Sequence, residues 1–385
     1  MRRLCLILLG IVCLTACMPS QNLDEYAYVL NVGVERGTTM PYLVTFLVSA
    51  PGEGTEQTEI SNIVISAEAR TFSEAVQTLN AAYPSRLSFS RASLLLLSED
   101  LVREGGQTPF LDFSFGAPDL WQNLRIAVCE GSVRDTFEGW TSDTDPSLRK
   151  IKTSVGELSS RSALTADIGY STYLECVRDG RIDALVTYAG KNEWTLRKDM
   201  VGEETYPYLG GSLLVSSILS TSTAGSAVFD GDRMVGVLDG QHTMAAFLVI
   251  GAFQSGQLLC TLSDGTVMQL QLKRIRRQKI GLSNRQASAE VYLEADLIAP
   301  QTLPMTGEEL IRFLKAYLEQ MLQRVYLALR AANSDAMGFG RVAVKQFRTV
   351  EEWEAYDWKA AYRNTEAEFT VHIRLAHTPR GSLKG

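Results

Sequence analysis

Ala227-Val228-Phe229-Asp230-Gly231-Asp232-Arg233-Met234-Val235-Gly236-Val237-Leu238 reads as two short apolar strands joined by a tight turn. Asp-Gly between alternating apolar residues is the strongest short-range hairpin signal, because glycine takes the positive φ that the turn needs. The stretch therefore fixes antiparallel pairing in the middle of the chain. Residues around it repeat the theme. Asp24 to Gly37 reads as a strand, with Tyr42 to Ser49 as its hairpin partner and Ile60 to Glu68 as a third short strand. Thr71-Phe72-Ser73-Glu74 has the capping-box pattern and opens a helix through Leu79 and Ala82.

Helices and strands then interleave. Pro84 to Ser90 reads as a link to a buried strand over Ala92 to Leu97. A short helix starts at Ser98-Glu99-Asp100 and ends near Gly105-Gly106. Thr108 to Phe115 adds a turn or two. Leu124 to Cys129 returns as a strand, Ser132 opens a helix, Thr165 to Cys176 is amphipathic enough for another, and Asp183 to Tyr188 is a strand. Beyond the central hairpin, His242 to Phe253 reads as a short helix. Leu258 to Leu262, Val267 to Ile275 and Ala287 to Ile298 read as strands with alternating faces. Thr306-Gly307-Glu308-Glu309 is a second capping box. It opens a long helix with Leu310, Leu314, Tyr317, Met321, Val325 and Leu329 at helical spacing, closed by Ala331-Ala332-Asn333. Phe369 to Leu375 is a final strand. Hairpins among the alternating elements indicate the α+β class, with mixed and antiparallel sheets and packed helices, rather than a doubly wound parallel sheet.

The N-terminus carries a different signal. Met1-Arg2-Arg3 is a basic start, and Leu4 to Val12 is an uncharged apolar run too short to span a bilayer. Leu14-Thr15-Ala16-Cys17 follows. Leucine, two small residues and cysteine resemble a bacterial lipobox, which implies a diacylglyceryl thioether on Cys17 as the mature N-terminus. Two or more acyl chains hold a protein on a membrane where one binds only marginally. Residues 1–16 are then the signal peptide and 17–23 a lipidated tether. The polar segment Gly190 to Glu204 is the expected domain boundary. It separates an N-terminal α+β domain, 24–196, from a C-terminal region, 205–385, which divides near 300 into two subdomains and holds the long helix 306–332.

Composition narrows the function. The chain is 45% hydrophobic and 21% charged, as expected of an ordinary globular protein. It has 37 basic and 44 acidic residues, net −7, and loss of Arg2 and Arg3 with the signal makes this −9. That balance argues against a general nucleic-acid binder. Cys5 and Cys13 belong to the signal. Cys129, Cys176 and Cys260 are widely spaced and odd in number, so they read as buried thiols rather than a disulfide framework or a metal set. Of the histidines, His242 stands alone, and His372 and His377 fall on a strand and a tail. The chain has no H-E-x-x-H, no G-x-S-x-G, no Walker A and no G-x-G-x-x-G sequence. Asp230-Gly231-Asp232 looks superficially like a calcium loop but lacks the distal Glu, so a tight turn is the better reading. Gly338-Phe339-Gly340 follows a helix and is too short for a dinucleotide loop. Lys273-Arg274-Ile275-Arg276-Arg277-Gln278-Lys279 is a basic cluster with two readings: contact with lipid head groups or an acidic partner, or the solvated face and end of an antiparallel strand. Trp353 and Trp358 could line one surface. No catalytic, cofactor or metal residue is indicated.

With these landmarks placed, the chain resembles the C subunit of bacterial spore germinant receptors, the Ger(x)C family. The resemblance rests on the lipobox and the first strand ending in Gly33-Val34-Glu35. It continues in Ser85 to Ser90 leading into Leu94 to Leu101, and in Phe110-Leu111-Asp112-Phe113. The hairpin Gly225 to Gly236, the long helix followed by Asp335-Ala336-Met337-Gly338-Phe339-Gly340, and the later Trp353 complete it. Met18-Pro19-Ser20 departs from the charged stretch that often follows the lipid cysteine in this family, and Glu35 stands where Asp is common. The resemblance implies three α+β domains in one lipoprotein and no enzymatic activity. It also implies assembly with A-type and B-type integral membrane subunits on the outer face of the spore inner membrane. The only site residue it carries over is Cys17. Two other readings are a solute-binding lipoprotein of a transporter, against which the repeated hairpins argue, and an envelope hydrolase, for which no nucleophile–base pair exists.

Overall fold

A computed structural model describes residues 26–50, 61–111, 124–142, 163–191, 209, 221–262, 264–283, 285–300 and 303–376. Residues 1–25 with Cys17, His377 and most of the segment 192–220 lie outside the described residues.

The first sheet has nine strands. Its centre is parallel: β1 (Tyr26–Arg36), β5 (Leu94–Ser98), β6 (Arg125–Cys129) and β7 (Leu185–Lys191). Its flanks are antiparallel. β2 (Tyr42–Ala50) and β3 (Ser61–Ala69) continue from β1, and β8 (Thr221–Asp230) and β9 (Arg233–Leu238) continue from β7. β4 (Arg86–Ser88), in a stretch read from sequence as a plain link, pairs in parallel with the start of β1. The uncharged run of β5 is buried throughout, as a central strand covered on both faces requires. Leu95, Leu97, Ile126 and Val128 face a core that includes helix α1 (Phe72–Ala82), α2 (Glu99–Glu104), α3 (Thr108–Leu111) and α5 (Tyr170–Asp179). Leu94, Leu96, Ala127 and Cys129 face the other side, under Val133 and Phe137 of α4 (Val133–Ser142).

Gly33-Val34-Glu35 now has a physical reading. A Cβ on Gly33 would meet Val133 Cγ1 at 2.2 Å, so α4 packs directly on the strand backbone. The Glu35 carboxylate accepts the Val133 N–H at the start of α4. Glu35→Ala is expected to cost about 1 kcal/mol, the value of a helix cap, read as a lower urea midpoint at unchanged m.

The second sheet orders β10 (Ser255–Thr261), β11 (Val267–Ser283), β12 (Gln286–Ala299) and β13 (Glu366–Leu375). β10 to β12 form an antiparallel meander, and β13 lies parallel to β12. The long helix α7 (Gly307–Ala331) covers it, burying Leu310, Leu314, Leu318, Met321, Leu322, Val325, Tyr326 and Leu329. Thr306 and Glu309 form the expected reciprocal capping box. At α1 the box is altered: Thr71 accepts the Glu74 N–H, but the Glu74 carboxylate takes the N–H of Arg70, one residue earlier.

Helix α6 (Gly240–Ile250) joins the two sheets. Its residues from Gly240 to Val249 are all buried, because it lies between β8 on one side and α7, β11 and β12 on the other. One cluster of buried side chains accordingly runs from Leu185, Val228 and Leu238 in the first sheet to Leu270 and Leu293 in the second and Val325 of α7.

One expected element differs, and the sheets bear on the domain reading. β7 and β8, on either side of the expected boundary at 190–204, are neighbours in one sheet. The segment after 300 returns through α7 and β13 to the sheet that holds β12. The described residues build two sheets. The helix expected from Thr165 starts at Tyr170, because Thr165 and Gly169 bridge to Gly225 and Arg125 in extended form. The α+β class with mixed and antiparallel sheets holds.

Candidate functional site

A largely buried network of polar groups sits at the tip of the central hairpin. Asp183 leads into β7, Asp230 closes β8, Gly231 opens the β8–β9 turn, and Asn333 to Gly340 follow α7. Lys359 comes from helix α8 (Trp358–Tyr362). Lys359 Nζ donates to Asp183 Oδ2, to Asp230 Oδ1 at 2.6 Å and to the Asn333 carbonyl at 3.0 Å. Asn333 Nδ2 donates to Asp230 Oδ2 at 3.0 Å, and Arg363 Nε donates to Asn333 Oδ1 at 2.9 Å. The Gly231 N–H reaches Asp183 Oδ1 at 2.9 Å, and the Asp335 N–H reaches Asp183 Oδ2 at 2.6 Å.

Asp335 completes the set. Its carboxylate accepts the N–H groups of Gly338 (3.1 Å), Phe339 (2.9 Å) and Gly340 (2.6 Å), and the Trp358 indole N–H (3.0 Å). The Gly-Phe-Gly stretch thus presents backbone donors to an anion, as phosphate loops do, but the anion is the chain's own side chain. Burial pushes the Asp335 carboxyl up to about 7, against the pull of these donors. Burial also raises Asp183, which the Lys359 ammonium partly offsets.

The hairpin turn is held from its other side as well. Asp232 Oδ2 accepts the Gly106 N–H and the Thr108 hydroxyl, both at 3.1 Å, and Arg233 Nε donates to the Arg103 carbonyl at 2.8 Å. Asp230-Gly231-Asp232 is therefore a tight turn whose carboxylates bolt two parts of the fold together. Where a cation would sit between Asp183 and Asp230, the Lys359 ammonium already stands. Among the described residues no group of three or more His, Cys, Asp and Glu is placed to hold a metal ion. The arrangement fixes geometry; it presents no nucleophile with a base.

Other sequence candidates fall into place. The basic cluster is not at a strand end, since β11 continues to Ser283. Arg274 caps the last turn of α6 through the Gly251 carbonyl at 2.7 Å and meets Gln254 Oε1 at 3.0 Å. Arg276 stacks over Tyr292 at 4.8 Å, and Lys279 pairs with Glu290 at 3.1 Å. Lys273 and Arg277 are exposed. Trp353 and Trp358 lie side by side at 6.2 Å, both buried, and so pack rather than line a surface. His242 is buried, with Nδ1 3.0 Å from Asp239 Oδ2, and His372 stacks on Tyr292. Cys129, Cys176 and Cys260 are buried thiols. The structure does not place Cys17. Sequence reasoning marked Asp230, Asp335 and Gly340 but missed Asp183, Asn333 and Lys359, for which no spacing signal exists.

Comparison with known proteins accounts for this architecture. The family described as spore germination protein N-terminal domain matches residues 19–188. The family described as spore germination B3/GerAC like, C-terminal, matches residues 224–378. No curated protein matches the chain. The solved structure titled "Crystal Structure of the GerBC protein" has a similar fold, with TM-score 0.52 and 15% identity over 90% of this chain and 97% of that one. No helix among the described residues is long and apolar enough to cross a membrane. With both domains matched in order over most of its length, the chain belongs to the GerAC-like family of spore germination proteins, the Ger(x)C family of germinant-receptor C subunits.

Proposed function

We propose that this chain is the lipid-anchored, non-catalytic C subunit of a spore germinant receptor. It is held by Cys17 on the outer face of the spore inner membrane and assembles there with an A-type and a B-type integral membrane subunit to support nutrient-triggered germination. The observation that carries this reading is the order of the two family domains along the chain, placed directly behind a lipobox. The junction around Asp335 supports a scaffolding role, since it uses its polar groups to fix one part of the fold against another. No cofactor is needed for such a role.

Two measurements test the proposal. Cys17→Ala is expected to leave the body folded while abolishing acylation and membrane retention, read by mass spectrometry and fractionation. Unchanged acylation would remove the lipobox reading. A pull-down of tagged chain from detergent-solubilised spore membranes is expected to recover two polytopic membrane proteins. Recovery of a transporter permease and ATPase would favour the solute-binding lipoprotein instead.

A further inference from the structure

The two parts of the chain that match separate family models meet along a seam, and the seam holds a cavity of about 340 Å³. One wall comes from α5 and the entry to β7, the other from the end of α6 and from Arg341. Small-molecule sites favour such seams and measure about 300–1,000 Å³. The floor is apolar, with Ile168, Ile182, Leu185, Phe247 and Ile250. Ile250 packs against both of the large buried clusters.

Two groups of opposite charge line the same cavity. Arg341 leaves the Gly338-Phe339-Gly340 turn, whose N–H groups the Asp335 carboxylate holds. Its stem lies beside the floor: a Cβ on Gly338 would meet Ile182 Cδ1 at 3.1 Å, Ile250 Cγ1 at 3.5 Å and Arg341 Cδ at 3.8 Å. Burial pushes the Cys176 thiol of α5 up to about 11, and the Arg341 charge is the first influence that opposes it. The Arg341 side chain is exposed and makes no hydrogen bond or ion pair among the described residues. Asp167 carries the other charge. Arg125 Nη1 lies 2.8 Å from its Oδ1, which is buried, while 18% of the side chain stays exposed. Among the described residues nothing donates to Oδ2. Burial raises this carboxyl, and Arg125 opposes the rise. A second cation at Oδ2 would favour the charged form further.

We infer that this cavity binds a small zwitterion of the apolar α-amino-acid class, with its carboxylate on Arg341, its ammonium on Asp167 and its side chain on Ile182, Phe247 and Ile250. A guanidinium suits a carboxylate because it offers paired donors in one plane. A simple anion would leave Asp167 Oδ2 without a donor, a simple amine would leave Arg341 unpaired, and a protein terminus carries only one of the two charges. The site is separate from the Asp335 network but positioned by it, since the turn that Asp335 holds is the base of Arg341. The inference does not rest on the receptor reading.

Isothermal titration calorimetry of the full chain in detergent tests it with alanine, valine, leucine and phenylalanine. The best binder is then compared with its two analogues that each lack one charge, which for leucine are 4-methylpentanoate and 3-methylbutylamine. The expected result is binding of at least one amino acid, at least about tenfold tighter than either analogue, the loss of one charge-assisted hydrogen bond. Arg341→Gln and Asp167→Asn should each weaken binding by the same factor. Arg348→Gln, exposed and outside the cavity lining, should leave it unchanged. Asp167→Asn also removes the Arg125 ion pair, so its fold is checked by its urea midpoint, and Arg341→Gln, which breaks no contact, decides if that midpoint falls. Absence of binding by all four amino acids would overturn the inference. So would an analogue that binds as tightly as the amino acid, or binding unchanged in Arg341→Gln. Binding together with recovery of a permease and ATPase in the membrane pull-down would keep the site and remove the receptor reading. Recovery of two polytopic partners without binding would do the reverse.

Discussion

Asp335→Asn is expected to destabilise the protein by about 3 kcal/mol, seen as a lower thermal midpoint and urea midpoint. Both carboxylate oxygens are occupied, one by the Gly338 and Phe339 N–H groups and the other by the Gly340 N–H and the Trp358 indole. Asparagine keeps one oxygen and turns an amide NH2 toward the remaining two donors. Either orientation strands two buried N–H groups, and a buried donor without an acceptor costs about 1–3 kcal/mol. A loss below 1 kcal/mol would show that the junction carries little of the stability.

The same residue sets a pH dependence. Its folded-state value of about 7 lies above the unfolded value near 3.8, so the folded state binds the extra proton in between. Stability contributed by this proton is fully present below the unfolded value and is lost as pH rises through the folded one. From pH 5 to 7 the unfolding free energy should therefore fall, by at most about 1.4 kcal/mol per pH unit for one proton. Asp183, also raised by burial, acts with the same sign. In Asp335→Asn the slope should be shallower. An unchanged slope would assign it to other groups.

Gly340→Ala is the second large effect, about 3 kcal/mol, and its cause is steric. A Cβ there would lie 2.2 Å from the Arg181 carbonyl oxygen and 2.6 Å from Trp358 Nε1. Neither atom is the end of a flexible side chain, so the loop after α7 must move away from the strand entry at Asp183. Gly231→Ala is the contrast. Gly231 has φ of 62° but nothing within 4 Å of the added carbon, so only the backbone term of about 1 kcal/mol applies. Calorimetry on the two variants separates crowding at the junction from turn strain. Equal midpoints would contradict the close approach at Gly340.

Much of the fold was legible in the residue order because its causes are local. Asp230-Gly231 specifies a turn by φ alone. Thr306 and Glu309 lie one helical turn apart and cap each other. Leu94 to Leu97 cannot be exposed, and strand alternation from Leu258 to Ile298 sets which residues meet α7. The same local order gives Leu14 to Cys17 its resemblance to a lipobox and brings the Ger(x)C family into view.

Only the tertiary structure decided the rest. Asp183 and Lys359 are 176 positions apart and meet through strand order, not spacing. The first sheet crosses the polar segment after Lys191, because β8 pairs with β7 between Thr221 and Val228. The basic cluster was ambiguous in sequence because its counter-groups, Glu290, Tyr292 and the end of α6, lie on other elements. Sheet order was equally hidden. A strand's own residues give its alternation, whereas its place at the rim of a sheet is a property of every other strand.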